Sequence, residues 1–312
     1  MQAVFNALVP VFLLVVLGAF LKRTLLKNEN AWDSLEDLTY FVLFPALLFL
    51  ATATADLSKV PIWGIIIALV TAILAIAFLL LALRAPLQRA FSWSGPSYTS
   101  VFQGAVRWNT YIAVAVASTL LGEIGLALAA VALASMIPLI NVLSVVVLAR
   151  YAPNSPANVK YVFVQLLRNP FIWACALGVV VNAAGVPLPK VFTGFMNVLG
   201  QASLPLGLMI VGAGLNLKTV AKIDAAVLIA VCVKMLLLPT IAIGTAYFVG
   251  VTGPAFAVIA IASSVPSAPN GYMLARQMGG DAPLLARILT IQIFVALFSI
   301  PAALFVAAYL GL

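Results

Sequence analysis

The sequence predicts an all-α membrane protein of ten transmembrane helices in two inverted repeats of five. Three observations carry this. Of the 312 residues, 65% are hydrophobic and only 8% are charged, against about 25% charged in a soluble domain. The apolar sequence divides into ten segments of membrane-crossing length. Two of these are interrupted by similar polar stretches at corresponding places in the two halves.

A membrane helix takes ~20 mainly apolar residues. Such segments cover approximately residues 3–21, 36–54, 61–83, 98–120, 125–148, 169–186, 191–214, 225–249, 254–276 and 284–310. In the first, Lys22 and Arg23 follow the apolar run. A cleavable signal has its basic residues in front, so this span is expected to stay, with its N-terminus outside. Between the fifth and sixth segments, Tyr151-Ala152-Pro153-Asn154-Ser155-Pro156 reads as a mid-chain linker. Val159–Leu167 is expected as a short interfacial helix.

Charge supports this topology. Twelve of the sixteen Lys and Arg residues fall on one side of the ten segments, among them Arg84, Arg89, Arg150, Arg276 and Arg287. Lys59 and Lys190 fall on the other side, and Arg107 and Lys234 lie within spans. The positive-inside rule makes the rich side cytoplasmic, which places both termini outside. The net charge of +8 then follows from topology, and no nucleic-acid partner is expected. The chain has no His, which excludes a His-ligated metal or a His proton relay. Cys175 and Cys232 fall in apolar runs and are expected as buried free thiols.

The repeat is visible as an offset of 160. It aligns Pro10 with Pro170, Gly18 with Gly178, Pro45 with Pro205, Leu57 with Leu217 and Val60 with Val220. One further residue brings Asn109 onto Asn270 and Tyr111 onto Tyr272. The expected repeats are residues 1–158 and 159–312. Five spans per repeat is odd, so the second must start on the opposite face and the repeats are inverted.

The polar breaks are Val106-Arg107-Trp108-Asn109-Thr110-Tyr111 and Val265-Pro266-Ser267-Ala268-Pro269-Asn270-Gly271-Tyr272. Broken helices at matching positions of two repeats point to the substrate site of a secondary transporter. Pro266 and Pro269 each remove a ladder hydrogen bond, and Asn270 and Ser267 can bond freed backbone groups or a ligand. Arg107 inside a span needs a cavity or a partner, and a purely structural pairing stays open beside an anion-binding role. Lys234 divides the same way, between bonding helix carbonyls and serving as a counter-charge. Gln292 and Asn141 belong to the spans after each break and are within reach of the site. All eight acidic residues lie in loops or at span ends. A cation antiporter needs carboxylates inside the membrane, so the composition favours an anionic substrate held by amides, hydroxyls, cations and half-helix N-termini.

Asn169-Pro170, Leu177-Gly178, Asn182, Gly185, Leu188-Pro189, Leu199-Gly200, Leu204-Pro205-Leu206 and Gly212-Ala213 resemble the central block of the auxin efflux carrier family. Phe44-Pro45-Ala46-Leu47 and the two breaks extend the resemblance over nearly the whole chain. Bacterial members of that family are described as malonate or malate permeases, and plant relatives export auxin. The resemblance implies the fold of sodium/proton antiporters and bile acid symporters. Spans 1, 2, 6 and 7 would form a scaffold and homodimer surface, and spans 3–5 and 8–10 a moving transport domain. Asn109 matches the family's first-break Asn, and Pro266 and Pro269 its second-break prolines. The plant Asn-Pro-Asn-Thr motif is replaced by Arg107-Trp108-Asn109-Thr110. The missing proline and added bulk disfavour an auxin-like ligand.

Together these expectations describe a non-enzymatic carrier of small organic anions in the lipid bilayer of the bacterial inner membrane. The substrate-binding candidates are Asn109, Asn270, Arg107, Thr110, Ser267, Pro266, Pro269, Lys234 and Gln292. No cofactor or metal is expected, with coupling to H⁺ or Na⁺ open. A sodium-coupled symporter of the bile acid type, and a sensor or channel without coupled transport, are the alternatives.

Overall fold

The apolar segments fold as helices because hydrocarbon offers no water to backbone N–H and C=O groups, and a helix satisfies both internally. A computed structural model describes residues 2–55, 61–152, 164, 167–215 and 223–310, with no strand among them. The helices in chain order are α1 (Gln2–Thr24), α2 (Glu29–Leu38), α3 (Phe44–Thr54), α4 (Ile62–Ala82), α5 (Arg84–Phe91), α6 (Gly95–Val106) and α7 (Thr110–Tyr151). The second half contributes α8 (Pro170–Ala183), α9 (Lys190–Ala213), α10 (Ala225–Cys232), α11 (Leu238–Phe248), α12 (Gly253–Ser264), α13 (Asn270–Met278) and α14 (Ala282–Leu310). Among the described residues, seven helical stretches are long and apolar enough to cross a membrane, and α8 and α12 are shorter apolar helices. The chain is a multi-pass membrane protein.

One such stretch, Gly95–Tyr151, contains the first polar break. Beyond it, α7 alone has 42 residues, about 63 Å at 1.5 Å per residue. That is roughly twice the ~30 Å hydrocarbon core. Gly122 divides it, with φ 65° and ψ −145°, a backbone region open essentially to glycine alone. A methyl group at Gly125 would collide with the Ala117 carbonyl, so the chain turns tightly there.

Two helical stretches each contain a π turn, Thr39–Leu43 and Val233–Leu237. Each runs straight into a helix with a proline in its first turn, Pro45 in α3 and Pro239 in α11. Proline has no N–H to donate to the carbonyl four residues back. The amides of Phe44 and Leu238 instead reach back five residues, to the carbonyls of Thr39 and Val233. The helix thus absorbs each proline in one widened turn. Such turns are frequent at functional sites, and the second one carries Lys234.

The chain forms two compact units. The first comprises Met1–Ile62, Thr110–Ala134 and Arg168–Gly214. In it α1 crosses α9 so closely that Gly18 lies on the Met209 backbone and Gly212 on that of Val15. Asn182 of α8 donates to the carbonyls of Ala53 at 3.0 Å and Ala55 at 2.7 Å, which closes the C-terminus of α3. Phe44 sits between the rings of Tyr111 and Phe171, and the Tyr111 ring lies on Gly207.

The second unit comprises Trp63–Asn109, Ser135–Leu167 and Leu215–Leu312. Its helices are registered by Asp281. The Asp281 carboxylate caps α14 by accepting from the Leu284 amide at 3.0 Å, and it also accepts from the Ser97 hydroxyl at 3.0 Å. Ser100 donates to the Asp281 carbonyl at 2.8 Å. These bonds tie the start of α6 to the start of α14. Asp224 caps α10 and pairs with Arg287 at 3.0 Å.

Two expectations are corrected or bounded. Cys232 is an exposed thiol, while Cys175 is buried and donates to the Ala130 carbonyl. An apolar run in a membrane helix has a lipid-facing side, so apolar sequence does not imply burial in protein. Glu29, Asp33, Glu36 and Asp37 lie together on α2. The interfacial helix expected over Val159–Leu167 falls almost wholly outside the described residues, as do Leu57, Val60, Leu217 and Val220.

Candidate functional site

The two breaks, residues 107–109 and 265–269, lie in the second unit. Helix α6 ends at Val106, residues 107–109 are not helical, and Arg107 is extended at φ −70° and ψ 158°. Helix α12 ends at Ser264, and α13 starts at Asn270. The breaks adjoin. The Asn109 amide donates to the Pro266 carbonyl at 2.8 Å, and the Ser267 hydroxyl donates to the Gln103 carbonyl at 3.3 Å.

The freed backbone groups are satisfied by side chains. Gln292 of α14 is fully buried. Its carbonyl oxygen accepts from the Ser267 amide at 2.9 Å. Its amide nitrogen donates to the Gly104 carbonyl at 2.8 Å and reaches the Ala230 carbonyl at 3.5 Å. One side chain therefore serves the second break, the C-terminus of α6 and α10. The last carbonyl of α12, on Ser264, accepts from the Ser299 hydroxyl at 3.0 Å. The hydroxyls of Ser263 and Ser264 bond back to carbonyls of their own helix.

Arg107 is 4% exposed. Its Nη1 donates to Asn270 Oδ1 at 2.8 Å, its Nη2 to Asn141 Oδ1 at 3.3 Å and its Nε to Gln103 Oε1 at 3.2 Å. Gly271 leaves room for this side chain, since a methyl there would come within 2.9 Å of Arg107 Cδ. The guanidinium is thus solvated by neutral amide oxygens. The acidic residues of this unit, Asp224 and Asp281, are engaged at helix starts.

Lys234 is the second buried basic residue. It is fully enclosed, and its Nζ has no hydrogen-bond partner among the described residues. The carbonyl-bonding role weighed for it from sequence is therefore not made. The π turn that bears it packs against α6, α12 and α14. Gln103 Nε2 and the Trp108 indole N–H are also buried without a partner among the described residues. Each such donor costs about 1–3 kcal/mol in lost hydration.

The site residues expected from sequence thus fall into groups. Arg107 and Asn270 meet directly, and Asn109 joins Pro266 through backbone. Ser267 and Gln292 are bonded to each other, and Lys234 stands on a neighbouring helix. Pro269 occupies the N-cap of α13. Thr110 begins α7 and belongs to the first unit. Asn109 is fully buried, whereas Asn270 is exposed. Gln103 and Trp108 were not singled out as site residues from the sequence. The signal for both was their position, Trp108 within the predicted break and Gln103 a few residues before it in the same span.

Over 298 residues the chain is 25% identical to an uncharacterized transporter of Methanothermobacter thermautotrophicus, covering 95% of this chain and 96% of that one. Residues 152–304 match the model of a family described as membrane transport protein.

Proposed function

We propose that this chain is a secondary transporter of small organic anions, carboxylates of the malonate or malate class, working by alternating access with its substrate at the two breaks. The observation that carries this is a set of buried donors. Beside the buried Arg107, the partnerless polar atoms near the breaks include Gln103 Nε2, Trp108 Nε1 and Lys234 Nζ. A buried polar group costs free energy until it is hydrogen-bonded, and an entering carboxylate would supply the acceptors.

Under this reading the chain crosses the membrane ten times as two inverted repeats, with both termini outside and a homodimer formed through a scaffold of spans 1, 2, 6 and 7. The division into two compact units supports a mechanism in which one unit moves. Asn109, Asn270 and Ser267, with the N–H groups at the start of α13, would orient the carboxylate, and Arg107 would supply charge. Sodium-coupled symport is the second reading. Carbonyls and amides can hold Na⁺ without a carboxylate, so the lack of intramembrane acids leaves it open.

Purified protein in liposomes tests both. Labelled malonate and malate should show saturable counterflow, and the same rate with Na⁺ or K⁺ outside would reject sodium coupling. Failure of every mono- and dicarboxylate to exchange, or to raise the melting temperature of folded protein by mass action, would reject the anion carrier.

A further inference from the structure

Trp108 stands between two anchored neighbours. Arg107 is held by Asn270, Asn141 and Gln103, and the Asn109 amide is held by the Pro266 carbonyl. The backbone on either side of Trp108 is therefore fixed, and the residue lies outside both helices. Its side chain is 3% exposed, yet its indole N–H has no acceptor among the described residues. Tryptophan is donor-only, and when buried its N–H usually finds a partner. A ring needed only to fill space carries that desolvation penalty without return, and phenylalanine would avoid it. A partnerless buried donor on a polar break, next to the Arg107 guanidinium, fits a ligand that brings the acceptor with it.

We propose that Trp108 is a substrate ligand: its indole N–H donates to a carboxylate oxygen of the transported anion, beside the charge of Arg107. This rests on the anion-carrier reading above and adds a specificity element to it. Anions that present an oxygen acceptor to the break are selected. The indole also takes up volume that the side group of a larger aromatic acid would need.

The test compares wild type with Trp108→Phe, which keeps an aromatic ring and loses the donor. Thermal titrations would use malonate, malate and phenylacetate as probes, with tryptophan emission followed in parallel. The expected result is a free protein melting at or above the wild-type temperature and an apparent affinity for the best probe about tenfold weaker. A ligand-dependent emission change should appear in wild type and vanish in Trp108→Phe. Equal affinities in the two proteins would overturn the proposal while leaving the anion carrier standing. A melting temperature several degrees lower without ligand would also overturn it, since the N–H would then have a structural partner. No stabilisation of wild type by any probe would remove the anion carrier and this assignment together.

Discussion

Arg107 Nη1 lies 2.8 Å from Asn270 Oδ1, joining the end of α6 to the start of α13 across 163 residues of sequence. The acceptor is a neutral amide, so the bond positions the guanidinium without cancelling its charge. Asn270→Asp changes only that property. An internal carboxylate would form a charge-assisted bond and take the place of the substrate anion. Transport of malonate or malate should fall at least tenfold, roughly 1.4 kcal/mol, with no loss of melting temperature. Transport at the wild-type rate in this variant would show that Arg107 does not serve the anion.

Arg107→Gln removes the charge and keeps a hydrogen-bonding amide. A charge-assisted bond is worth about twice a neutral one, so binding of the best carboxylate should weaken more than stability falls. Removing a buried charge also relieves desolvation, and the melting temperature should change by only a few degrees. A large loss of stability with unchanged affinity would make Arg107 a structural clamp.

The breaks were legible because polar residues inside apolar sequence have few explanations. Asn109, Pro266, Pro269 and Asn270 marked both interruptions, at residues 107–109 and 265–269. The pairing of Arg107 with amides rather than carbonyls was not legible, since it depends on which helices meet. Gln292 was legible as a polar residue within reach of the site, but not as a brace of the breaks. Only the fold shows that its single amide serves three chain segments. The π turns follow from Pro45 and Pro239, but sequence alone does not say whether a proline will kink a helix or widen one turn. Cys232 was misread because the apolar pattern of a membrane helix is the same on its protein and lipid sides.

Lys234→Met replaces a fully buried, partnerless amine with an apolar side chain of similar length. Replacing buried charge by packed hydrophobic groups is often neutral or stabilising by about 1–4 kcal/mol. The variant should therefore melt no lower than wild type, while carboxylate transport falls sharply because the second positive group is gone. Thermal unfolding and counterflow on the same preparation separate the outcomes. A destabilised variant that still transports would assign Lys234 to the framework.

Gln292→Leu keeps the approximate side-chain volume and deletes the amide. The Ser267 N–H and the Gly104 carbonyl would both lose their partners, where the surrounding side chains are fully buried. At about 1–3 kcal/mol for each orphaned group, the loss should be roughly 2–6 kcal/mol, large against a typical stability of about 5–15 kcal/mol. Gln292→Glu separates geometry from chemistry. Its carboxylate retains an acceptor for Ser267 but cannot donate to Gly104 or Ala230, and it faces two carbonyls with negative charge. A bound Na⁺ would relieve that repulsion. Gln292→Glu should therefore be destabilised in K⁺ and recover part of its melting temperature in Na⁺, whereas wild type, with the amide NH₂ already donating to those carbonyls, should melt alike in both salts. A sodium-dependent melting temperature in wild type would instead favour the symporter reading.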